Sequence, residues 1–161
     1  LDLTDNDSAT AMFNYSGVYP GWTQDRCIKV DYSSTLVAGT QPGAVKLYLS
    51  TIGWTAPATA DSAAGNLTIQ IDQSTTGSST FGECTNFTNG TVTSLLPQTT
   101  LGTLTTATYT TGTSYTAWTP AGTDPETRYF RFRMTLPSNV SGIDSGKSST
   151  GNFTFTWETQ K

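Results

Sequence analysis

Tyr129-Phe130-Arg131-Phe132-Arg133-Met134-Thr135-Leu136 decides the fold. Phe130, Phe132, Met134 and Leu136 share one side of a period of two, and Tyr129, Arg131, Arg133 and Thr135 share the other. Successive side chains of an extended chain point to opposite faces, so this is a strand with one apolar and one polar face. The alternation recurs in Cys27-Ile28-Lys29-Val30-Asp31-Tyr32, in Val45-Lys46-Leu47-Tyr48-Leu49, in Asn66–Asp72 with Leu67, Ile69 and Ile71 inward, and in Phe153-Thr154-Phe155-Thr156-Trp157. No helical spacer separates these runs. Seven to ten strands at this spacing predict an all-β fold, an antiparallel β-sandwich of jelly-roll type.

The weaker segments are read around that frame. Phe13, Tyr15 and Val18 precede the Tyr19-Pro20-Gly21 turn and predict a hairpin arm. Ser74 to Ser79 is a loop, after which Phe81 to Cys84 returns to the sheet. Residues 91–123 are rich in Thr, Gly and Ala, with strand-like pieces at Leu101–Tyr109 and Ser114–Trp118 broken by Thr111-Gly112 and Pro120. Composition leaves a hairpin leaning on the body and a Thr-rich loop excursion both open.

The totals bound what such a sandwich does. At 161 residues the chain fits a single domain over 1–161. Charged residues make up 12%, against about 25% in globular proteins, and Thr, Ser and Gly stand in their place. A net charge of −4 argues against nucleic acid as a partner, since phosphate binding needs clustered Lys and Arg. No apolar run reaches the ~20 residues of a membrane span. Cys27 and Cys84 are the only cysteines, and in a chain of extracellular character they predict a disulfide and a secreted or cell-surface location. All seven asparagines, Asn6, Asn14, Asn66, Asn86, Asn89, Asn139 and Asn152, open an Asn-X-Ser/Thr triplet, the acceptor for N-glycosylation; a Thr-rich chain that favours Asn in turns is the plainer explanation.

Catalytic chemistry finds little to work with. The chain has no histidine, which removes the commonest general base, the Ser-His pair and the HExxH zinc motif. Asp5 with Asp7, and Asp124 with Glu126, are the close carboxylate pairs, and their polar, loop-like settings make them turn acids. Asp2, Asp5 and Asp7 offer hard oxygen ligands for calcium but lack the rest of an EF-hand loop. Arg131 and Arg133 beside Tyr129 make either an anion patch or the polar outer face of a sheet. Trp22, Trp54 and Trp118 fall in loop or turn contexts, where tryptophans serve sugar stacking or core packing. No enzyme, cofactor or metal site is expected.

Both ends of the chain resemble a known family. Leu1-Asp2-Leu3, then Phe13-Asn14-Tyr15-Ser16, Val18, Pro20-Gly21 and the strand at Ile28–Tyr32, look like the start of the TasA/camelysin family of secreted Gram-positive surface proteins. The close, Phe153-Thr154-Phe155-Thr156-Trp157-Glu158-Thr159-Gln160, is similar to the family's terminal strand, and the Cys27 and Cys84-Thr85-Asn86-Phe87 segments resemble an actinobacterial branch. The resemblance implies a jelly-roll subunit of extracellular biofilm-matrix fibres. Copies join head to tail by donating a strand from one subunit to the next, with other matrix proteins or polysaccharide as further partners. By that resemblance the donor lies upstream of Leu1, or another segment plays its role. Metalloprotease activity, described for some members, is not carried over to a chain without histidine. The alternative is a carbohydrate-binding or adhesive cell-surface module.

Overall fold

The alternating run at 129–136 becomes most of β7 (Glu126–Thr135), the central strand of a five-stranded sheet. A computed structural model describes residues 2–14, 18–34, 43–53, 63–122, 124–140 and 152–160. On one side β7 pairs with β2 (Thr23–Ser33), which pairs in turn with β1 (Asp2–Asp5); on the other it pairs with β4 (Thr68–Ser74), followed by β5 (Val92–Thr100). The second sheet has the order β6 (Ser114–Trp118), β3 (Val45–Ile52), β8 (Phe153–Glu158). Every pairing is antiparallel. A one-turn helix, α1 (Ala63–Asn66), leads into β4. The all-β sandwich is as expected.

Register follows the apolar pattern. Ile28 lies opposite Phe130, and Ile71 opposite Phe132, so a slip of one residue would turn the whole buried set outward. Phe130, Phe132, Tyr32, Val30 and Ile71 of the larger sheet meet Val45 and Leu47 of the smaller in one buried cluster. Phe132 stands edge-on to Phe155 at 5.4 Å and Phe130 lies 5.2 Å from Trp157, the offset contacts aromatic rings prefer.

Two segments differ from the sequence reading. Within 91–123 the strand-like piece expected at 101–109 is a 3-10 turn at Leu101–Thr103 followed by irregular chain, while residues 92–100 form β5. Exposed Thr, Pro97 and two register shifts against β4 hide the period of two there. Far from being an excursion, this stretch buries Leu96, Leu101 and Ala107, and β5 touches β6 to close one flank of the sandwich. The arm expected before Tyr19 is no strand among the described residues, although Phe13 and Val18 do pack on the core. Tyr15 lies outside the described residues.

Candidate docking groove

Among the described residues, the flank away from β5 and β6 is open. An apolar groove of about 510 Å³ lies there between the sheets. Ile28, Ile69, Phe132 and Met134 come from the inner face of the larger sheet, and Phe153, Phe155 and Trp157 from β8. Thr154 also lines it. Thr154 points to the opposite face of β8 from its neighbours, so the groove runs along the strand's edge as well as beneath it. Beyond β3, β8 has no paired strand among the described residues. Its six residues span about 20 Å. Trp157 adds a buried indole N–H with no acceptor among the described residues.

The segment after β1 completes the lining with Ala11, Met12 and Phe13. A tight reversal brings it there. Ser8 and Ala9 both adopt left-handed φ, 51° and 61°, which costs a non-glycine residue about 1 kcal/mol or more. The turn is held by the Thr10 N–H donating to the Asp7 carbonyl at 2.9 Å and the Ala9 N–H to Asp7 Oδ1 at 2.7 Å. The Asp7 N–H donates to Asp5 Oδ1 at 3.1 Å. Asp5 and Asp7 are therefore turn formers. No cluster of three His, Cys, Asp or Glu suited to a metal exists among the described residues.

At its far end β8 is clamped to β3. The Tyr48 hydroxyl donates to Glu158 Oε2 at 2.5 Å. That bond, reinforced by burial, pushes the Tyr48 hydroxyl up to about 12. Hydrogen bonds from Tyr48 and then Gln160 hold the Glu158 carboxyl below its ordinary range.

The outer face of the larger sheet is finished differently. Cys27 and Cys84 form the expected disulfide, with Cα atoms 5.1 Å apart, although Phe81–Cys84 is a turn and not a strand. The bond fastens the 75–91 loop over β2, β7 and β4, where Phe87 is buried and its ring lies 5.0 Å from the Arg131 guanidinium. Gly77 rests on the Tyr129 ring so closely that a Cβ would collide with it. Arg131 donates to Asp72 at 2.7 Å, and Arg133 grips both oxygens of Asp25 at 2.7 and 2.8 Å. These arginines are neutralised in place, which fits the polar outer face and leaves little for an anion. The Asp25 pair also raises the Arg133 pKa.

The remaining candidates disperse. Glu126 is buried at the start of β7 and accepts the N–H groups of Ala121 and Gly122, so it clamps a loop instead of lying solvated beside the exposed Asp124. Trp118 is buried at the end of β6 and Trp22 packs on the core, so these two make no exposed sugar platform; Trp54 lies outside the described residues. Asn14, Asn86, Asn89, Asn139 and Asn152 are exposed, and Asn6 and Asn66 are half-buried. The one signal of the groove in the sequence was the apolar face of the terminal strand. No helix among the described residues is long and apolar enough to cross a membrane. Set against protein-family models, curated proteins and solved structures, the chain matches none.

Proposed function

We propose that this chain is a secreted, non-enzymatic structural subunit of an extracellular fibre or biofilm matrix, of the TasA/camelysin type, and that copies assemble head to tail by strand donation. The observation that carries the reading is the apolar groove along the edge of β8, beyond which no strand is paired among the described residues. An incoming strand adds main-chain hydrogen bonds to that edge and lays every second side chain into the groove. Six residues place three side chains inside, worth about 2 kcal/mol each when fully buried. That only matches the low end of the cost of association, about 4–15 kcal/mol. The main-chain ladder therefore decides whether the strand stays, which favours a long extended donor over a loose apolar peptide. A heterologous contact of this kind leaves one groove and one donor free at the two ends, so an open filament grows.

Electron microscopy of the chain from Leu1, and of a form extended upstream to its export cleavage site, tests the proposal. Filaments are expected from the extended form, and Ala11→Arg, which puts a charge on the exposed rim of the groove, is expected to abolish them with the melting temperature unchanged. Monomers from both forms under all assembly conditions would overturn it. Binding to a glycan array by such monomers, with a change in tryptophan fluorescence, would turn the reading to the carbohydrate-binding alternative.

A further inference from the structure

The chain contains four sulfur atoms, two in cysteine and two in methionine. The cysteines are joined to each other. The methionines, Met12 and Met134, both line the groove, one from the segment after β1 and the other from β7, 122 positions away in the sequence. All the oxidisable thioether of the molecule is thus gathered at one open apolar surface, and both side chains are only partly buried.

We infer that Met12 and Met134 are sites of oxidative modification by peroxides, and that their sulfoxides close the groove to an apolar strand. A thioether lone pair attacks one peroxide oxygen. The S–O bond forms as the O–O bond breaks, sulfur is oxidised and the peroxide reduced, and the departing hydroxide takes the proton from the sulfur-bound oxygen and leaves as water. Hydrogen peroxide is scarcely larger than water, and the open groove admits it without unfolding. The product is a polar, chiral side chain where a flexible apolar one stood. Covering a sulfoxide with an apolar strand leaves its oxygen short of a hydrogen bond, which weakens binding by about tenfold for each site. The modification stands on the placement of the two side chains; its effect on assembly rests on the strand-donation reading.

The test exposes the folded chain to hydrogen peroxide and follows Met12 and Met134 by peptide mass mapping, with free methionine as the rate standard. Anilinonaphthalene sulfonate, which lodges on exposed apolar surface, reports the groove, and microscopy reports filaments. Both residues are expected to oxidise within about tenfold of the free amino acid's rate, probe binding to fall about tenfold or more, and Met12→Leu/Met134→Leu to keep probe binding through the same treatment. The single Leu variants serve if the double one does not fold. Oxidation only at the rate of global unfolding, or unchanged probe binding and filament yield in the oxidised chain, overturns the inference. If the reduced chain never assembles yet peroxide abolishes probe binding in the wild type alone, strand donation fails and the modification stands. If filaments form and resist peroxide, the reverse holds.

Discussion

The edge of β2 and the edge of β8 are completed in different ways. Beyond its pairing with β1, β2 is closed by borrowed groups: Asn6 Oδ1 accepts the Lys29 N–H at 3.0 Å, and the Gly82 N–H donates to the Cys27 carbonyl at 2.8 Å. The Asn6 amide then donates to the Ser79 carbonyl at 2.8 Å, which ties the disulfide-bonded loop to the turn after β1. Along β8 no such cover exists among the described residues, and the apolar groove opens beside it. An unpaired strand edge invites pairing with another chain, and proteins usually blunt it. One edge here is blunted by a side chain and a fastened loop, and the other, among the described residues, borders an apolar groove. The contrast teaches that exposure at β8 is local to one flank and not a general looseness of the sandwich.

The largest effect expected is from breaking the fastening. Cys27→Ser/Cys84→Ser removes a cross-link over a sequence separation of 57, worth about 4 kcal/mol in the chain-entropy account. Urea unfolding should show the loss, and hydrogen exchange should show the 75–91 loop and the β2 edge opening while β8 is unaffected.

Next comes the support beneath Phe87. Among the described residues Asp72→Ala leaves Arg131 with one carboxylate, Asp25, 3.9 Å away, and stranding a nearly buried charge costs about 3 kcal/mol. Replacing both Asp72 and Arg131 by apolar residues should recover most of the loss, as a double-mutant cycle in urea would measure.

A smaller effect, about 1–2 kcal/mol, is expected for Asn6→Ala, which leaves the Lys29 N–H and the Ser79 carbonyl without their partner. This variant makes the β2 edge resemble the β8 edge. Light scattering should detect self-association through the β2 edge that the wild type lacks.

The smallest, about 1 kcal/mol near neutral pH, is Tyr48→Phe at the clamp on β8. Its signature is in the pH profile. Tyr48 ionises near 10 when unfolded and at about 12 when folded, so its contribution is complete below pH 10 and disappears as pH rises to about 12. Glu158 is depressed in the folded chain, so its contribution is present above its unfolded value and is lost as pH falls through the folded one. Thermal melts of the Phe variant should lose the Tyr48 share of the alkaline decline, keeping that of Tyr115, whose hydroxyl is also raised by burial, and the acid decline should shrink.

Much of the sandwich was legible because burial writes itself into a period of two. Phe130, Ile71 and Leu47 announced their strands, and two lone cysteines announced their bond. Strand β5 stayed hidden since an edge strand with exposed Thr and a Pro has no contrast between its faces. The segment at 11–14 misled for the opposite reason, its apolar residues serving the groove without entering a ladder. Glu126 looked like a surface acid until two loop N–H groups were found pointing at it.

By itself the sequence determined which residues of the alternating strands face inward, that no long helix competes with the strands, and which cysteines pair. Only the tertiary structure decided the order of strands, and with it which edges are left over. Alternation specifies a face within a strand but says nothing of that strand's neighbours, which depend on pairings between distant segments. The meeting of Met12, Met134 and Phe155 around one groove is a product of that ordering, and no local pattern in the chain encodes it.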